Sequence, residues 1–125
     1  MLLPLAYEKT ELLEVVRIGD PAGALRWDRL VGEDVAIWGG EQARQALTRV
    51  GELPGGDNHR CFLPGWGLRA HSGVGLLFEV ALCFRCHSAR TWADGLSAEL
   101  RFQGFDAESP VARELLDRLR DCVSG

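Results

Sequence analysis

Three cysteines in apolar surroundings are the residues of this chain best suited to chemistry. Cys61 opens the run Cys61-Phe62-Leu63-Pro64, and Cys83-Phe84-Arg85-Cys86 closes a hydrophobic stretch, all within 26 positions. A fourth, Cys122, lies near the end of the chain. Such a cluster can hold a metal, cycle as a dithiol or fill a core. Tetrahedral zinc needs four donors converging at about 2.0–2.3 Å. Cys61, Cys83 and Cys86 with His87 supply the number, and His59 or Cys122 could stand in for the histidine. The Cys-x-x-Cys spacing is half of a zinc site or a redox pair. Phe84 and Arg85 read as strand residues, however, and an odd separation on a strand sends Cys83 and Cys86 to opposite faces. A sharp turn after Phe84 would be required to bring them together.

A redox thiolate is usually stabilised at a helix N-terminus. The run His87-Ser88-Ala89-Arg90-Thr91-Trp92 does not read as a helix, which leaves Arg85 and His87 to lower a thiol pKa. An unbridged cysteine most often behaves as a small apolar core residue. The expectation is therefore packing and no cofactor, with zinc as the alternative.

Other catalytic arrangements are thin. Cys86 could act with His59, His71 or His87, oriented by Asp57 or Asp94, but adjacency in sequence says nothing about meeting in space. No Gly-x-Ser-x-Gly or His-Glu-x-x-His run is present. Glu79, alone on a hydrophobic strand, is the best acid candidate; it is expected on a wet face, paired across strands with Arg69. The four tryptophans, Trp27, Trp38, Trp66 and Trp92, fall at turns or strand ends. Tryptophan is enriched at interfaces. Trp66 in its Pro64-Gly65-Trp66-Gly67 turn, Trp92 and Glu79 are the candidate partner-binding residues.

The elements that would position these groups follow from pattern. Leu12–Ile18 is rich in β-branched residues and stops at Gly19-Asp20-Pro21, so it reads as a strand. Residues 24–31 and 34–38 read as two short extended pieces. Gly40–Val50 carries helix formers, with Ala43, Ala46, Leu47 and Val50 on one face and Gly51 as the stop. Residues 51–59 form a loop. Leu68–His71 and Val74–Phe84 make a hairpin across Ser72-Gly73. Val74, Leu76, Phe78, Val80, Leu82 and Phe84 alternate inward along the second strand. Ser88–Trp92 and Ala98–Phe102 read as further strands, with a turn at Asp94-Gly95. Ser109 caps a C-terminal helix that begins at Pro110 and places Val111, Leu115, Leu119 and Cys122 on one face. The fold class is α+β: a single-domain antiparallel sheet of about five to seven strands covered by two helices, at about 40–50 and 110–122.

The chain has 125 residues, 46% of them hydrophobic and 26% charged, which suits one core. No apolar run approaches the roughly 20 residues that span a bilayer. Met1–Ala6 lacks a basic start and an h-region of about 7 residues, so a cytoplasmic location with reduced thiols is expected. Net charge is −4, and the 14 basic residues are 13 Arg and Lys9. An acidic balance argues against nucleic acid and suits a basic protein partner.

The two cysteine motifs resemble those of a broad bacterial group of small proteins. In that group Cys-Phe-x-Pro, a hairpin and a hydrophobic strand ending in Cys-Phe-x-Cys follow one another. Here these are Cys61-Phe62-Leu63-Pro64 and Cys83-Phe84-Arg85-Cys86, and the likeness runs over residues 12–94. Leu12–Pro21 and Trp27–Ile37 keep the group's order. Members follow the proline with Arg-His or Arg-Asn, where this chain has Gly65-Trp66. The resemblance implies the fold and the grouping of the cysteines and brings no activity with it. The missing histidine favours interaction over metal binding or catalysis. The expected function is a non-enzymatic protein-binding module, in its concrete form an immunity protein that blocks a toxin. The alternative is a zinc-stabilised or thiol-active protein built on Cys61, Cys83 and Cys86.

Overall fold

A computed structural model describes residues 1–56 and 62–124. Its α+β architecture is a six-stranded antiparallel sheet in the order β2-β1-β3-β4-β5-β6. The strands are β1 (Leu12–Arg17), β2 (Glu33–Gly39), β3 (Trp66–Ser72), β4 (Gly75–Cys83), β5 (Ser88–Trp92) and β6 (Phe102–Gly104). The helices are α1 (Gly40–Glu52), the single turn α2 (Ala98–Arg101) and α3 (Pro110–Ser124). Short 3-10 turns occupy Leu5–Lys9 and Ala24–Arg26.

Helices α1 and α3 cover one face. The predicted stripe of α1, Ala43, Ala46, Leu47 and Val50, is buried there with Ala112, Leu115 and Leu119 of α3. They close over Leu13 and Val15 of β1, Leu68 and Ala70 of β3, and Phe78, Val80 and Leu82 of β4. The α3 cap is as read, with the Ala112 N–H donating to Ser109 Oγ at 3.2 Å. Arg118 lies 3.5 Å from Glu114 on the exposed side. Helix α1 runs through Gly51 to Glu52, because no left-handed residue interrupts it there.

The face opposite the helices departs from expectation. Residues 24–31 form a 3-10 turn and a loop rather than a strand, and they fold over the sheet. Ala24 and Leu30 pack with Val16, Ile18, Phe62, Ala81, Cys83 and Cys86 into a second apolar cluster. Gly67 makes room for this: a Cβ at that position would lie 2.7 Å from both Leu30 methyls. The odd residues of β4 are therefore buried like the even ones from Phe78 onward, and the expected wet face is absent.

Two further differences have local causes. Val74 belongs to the hairpin turn and is 99% exposed, so the strand begins at Gly75. A bulge between Ala70 and His71 adds one residue to β4 near Leu77. Residues 98–101 form the helical turn α2, and only from Phe102 does the chain pair with β5. No helix among the described residues is long and apolar enough to cross a membrane.

Phe78 is 1% exposed. Truncating it to Ala is expected to cost about 3–5 kcal/mol, whereas Val74→Ala should stay within about 0.5 kcal/mol and Cys83→Ala should be mild. Urea denaturation of the three variants checks the face assignment; a Phe78→Ala loss below about 1 kcal/mol would refute it.

Candidate functional site

Cross-strand register assembles a polar row on the face away from the helices. Ile37, Glu14, Arg69, Glu79 and Trp92 stand opposite one another across β2, β1, β3, β4 and β5. Glu79 is 3% exposed, so its charge requires a partner. Arg69 is that partner, as read from sequence: Nε donates to Glu79 Oε2 at 2.9 Å. The remaining guanidinium nitrogens are also engaged, one by Asp34 Oδ1 and one by the Leu30 carbonyl at 3.0 Å. His71, one step along β3, is tied to Glu14. The wet-face expectation for Glu79 fails because the 24–31 segment covers it, and the Arg69 fork makes that burial tolerable.

Where β5 ends, this row runs into a cleft of about 460 Å³. Leu76 to Glu79 of β4 line one side, and Thr91 to Asp94 with Leu96 line the other. Trp27, Asp28, Arg90 and Arg101 complete it. The Trp92 indole N–H donates to the Trp27 carbonyl at 3.1 Å, which fixes the ring. The Arg90 guanidinium carbon sits 4.8 Å from the Trp92 ring centroid, a cation–π contact. Its NH1 donates to the carbonyls of Ala24 at 2.9 Å and Leu25 at 2.6 Å. Burial draws the Arg90 pKa below its ordinary value, opposed by the negative charge of Asp28. At the rim, Asp94 and Arg101 are exposed and form no ion pair among the described residues.

Of the three candidate partner-binding residues, Glu79 and Trp92 meet in this cleft. Trp66 does not. It lies in β3 rather than in a turn, packs against the helix-side core, and borders a separate depression with Arg17, Ile18, Gly65, Arg120 and Val123. Trp27 is among the four tryptophans read as possible interface anchors but not among the chosen candidates, and Arg90 and Arg101 give no signal in the sequence. Trp27 sits in a segment read as extended, and β5 and α2 carry too little pattern to show which residues converge.

The cysteines separate by face. Cys83 and Cys86 share the cluster away from the helices, brought together by a turn over Phe84–His87 that reverses the chain between β4 and β5. The opposite-face objection fails, because the strand stops at Cys83. The Cys86 backbone N–H donates to Cys83 Sγ at 3.1 Å, and the Cys83 thiol donates to the Leu63 carbonyl at 3.3 Å. His87 closes the turn at φ +52, a left-handed conformation usually left to glycine. Its Nδ1 accepts from the Ala107 N–H at 3.1 Å, which turns that nitrogen toward the 105–107 segment. Next to Cys83 across the ladder, the buried Ser88 hydroxyl has no hydrogen-bond partner among the described residues.

Cys122 lies at the edge of the helix-side core, with the sheet between it and the other two thiols. It therefore cannot complete their site, and burial pushes its thiol pKa up against a lowering contact with Trp38. Cys61 and His59 lie outside the described residues. Among the described residues no group of three or more His, Cys, Asp or Glu side chains is placed to hold a metal ion. Comparison of the chain with family models, with curated proteins and with solved structures finds no match.

Removing the guanidinium with Arg69→Ala should destabilise the fold by about 3–5 kcal/mol, since it leaves Glu79 buried and unpaired. The double variant Arg69→Met/Glu79→Leu should recover most of that loss, because no charge then remains buried in the row. Equal instability of the single and double variants in chemical denaturation would show that side-chain volume, not charge pairing, governs this row.

Proposed function

We propose that the chain is a non-enzymatic protein-binding module whose contact surface centres on the Trp27–Trp92 cleft. The observation that carries this reading is the composition of the cleft: two tryptophans and two arginines around a fixed, internally paired floor. Aromatic and arginine side chains in a desolvated pocket are the usual energetic centres of protein interfaces. Glu79 and Arg90 are already held by Arg69 and by carbonyls, so they shape the floor rather than reach for a reacting atom. Leu76 at 45% exposure and the fully projecting Val74 extend the surface along the hairpin tip. A net charge of −4 favours a basic partner through faster encounter. A basic toxin neutralised by direct contact is the concrete form of this proposal.

A second reading rests on the Cys83–Cys86 turn. A backbone N–H aimed at the first sulfur, a left-handed residue after the second, and a buried hydroxyl beside the pair with no partner among the described residues together suit a turn that presents two thiolates to zinc. In that reading Cys61 and His87 are the further ligands.

Trp92→Ala empties the cleft without breaking a strand pair. Affinity capture from the native host with matched wild-type and Trp92→Ala baits is expected to retain a stoichiometric partner on the first and lose it, by at least about tenfold, on the second. A growth-inhibiting product of an adjacent gene, relieved on co-expression, would identify the partner as a toxin. Equal capture by both baits would reject the cleft as the contact surface. For the second reading, Co²⁺ titration of the purified chain should give thiolate charge-transfer absorption that Cys83→Ser and Cys86→Ser each abolish. No absorption and three or four slowly reacting thiols would leave packing as the role of the cysteines.

A further inference from the structure

We infer that the cleft receives its partner as an added β-strand: an extended segment of the partner pairs with the overhanging part of β4 and drops an apolar side chain between Trp27 and Trp92. This rests on the protein-binding reading and specifies its mode.

Strand β4 starts at Gly75, but its last pair with β5 is Glu79 with Trp92. Four residues, Gly75–Phe78, therefore extend beyond β5 and, among the described residues, pair on the β3 side alone, through Ser72, His71 and Ala70. The cause lies just past Trp92. The chain turns at Ala93–Leu96, with Gly95 at φ +67 and the Leu96 N–H donating to the Ala93 carbonyl at 3.4 Å. It then folds back into α2, which packs on β5. The 3-10 turn at Leu5–Lys9 packs against β3 and β4 but, among the described residues, makes no backbone hydrogen bond to 75–78.

The overhang is thus an internal sheet edge, and the cleft lies against it. An unpaired strand edge offers a row of main-chain donors and acceptors, and the group that satisfies such a row is another extended chain. This selects the occupant: a helix or a compact small molecule cannot complete the ladder. Side chains of an added strand alternate between faces. Those on the face away from the helices would meet Leu76, Trp92 and Trp27, so an apolar or aromatic residue fits there. Residues nearer the rim would meet Asp94 and Arg101, whose charges have no ion-pair partner among the described residues. Edge strand β2 is a less suitable acceptor. Its exposed Glu33 and Asp34 and the bulge at Val15/Val16 are features that discourage pairing.

The test uses a displayed library of random dodecapeptides, selected on the full chain and on its Leu76→Lys variant, which places a charge at the half-exposed edge without touching the core. Enriched peptides are expected to carry alternating apolar residues and to shift the amide resonances of Leu76–Phe78 together with the Trp92 indole signal. They should also slow hydrogen exchange within 75–78. N-methylation of every second peptide residue should weaken binding by about tenfold or more by removing ladder donors, and Leu76→Lys should do so by replacing the apolar side chain that the added strand would meet with a charge. No enrichment over an unrelated control protein would overturn the inference, as would binding that shifts another surface or survives N-methylation. Partner capture that depends on Trp92 but brings no protection at 75–78 would leave the binding module in place and remove strand addition as its mode.

Discussion

The Arg69 guanidinium is where three separately built parts of the molecule meet: β4 through Glu79, the edge strand β2 through Asp34, and the covering loop through the Leu30 carbonyl. Each of the three would fit worse without it. The loop brings Leu30 over the sheet next to a carboxylate that cannot be left dry and unpaired. Asp34 lies in β2, whose continuation is α1. A single planar fork satisfies all three through three separate nitrogens, whereas a lysine would have to reach them from one.

The same constraint explains the site. A strand buried on both faces can carry a charge only where a partner from the next strand reaches it, and the polar row is that place. Beyond it, toward the hairpin tip, β5 stops and the covering loop reaches only as far as Trp27 and Asp28. The cleft forms there, between a rigid ladder on one side and turn residues on the other. Its walls are held by main-chain contacts: the indole N–H of Trp92 on the Trp27 carbonyl, and Arg90 on two carbonyls of the 3-10 turn. Under the binding reading proposed above, walls held by the chain's own contacts would leave less ordering entropy to oppose association.

The thiols illustrate how a turn can reverse a conclusion drawn from strand geometry. On a continuous strand Cys83 and Cys86 diverge; on the observed hairpin both sulfurs enter one cluster, and the amide of the second points at the first. His87 adopts a left-handed backbone to close that turn, held by the amides of Phe105 and Ala107. Cys122 shares the residue type but is on the far side of the sheet.

Periodicity alone determined the α1 and α3 stripes, the inward set Phe78, Val80 and Leu82, the Ser109 cap and the Arg69–Glu79 pair, because each depends on spacing within an element or on hairpin register. The cover over the opposite face could not be read that way. It is an irregular segment whose packing depends on a glycine in β3, at Gly67, and on a leucine more than 30 residues earlier, at Leu30. The cleft likewise depends on where β5 stops relative to β4, an offset fixed by a turn at Gly95 and invisible in either strand's own pattern. Local sequence sets which faces are apolar; only the tertiary structure decides what covers them, because that requires distant, non-repeating parts of the chain to fit in three dimensions.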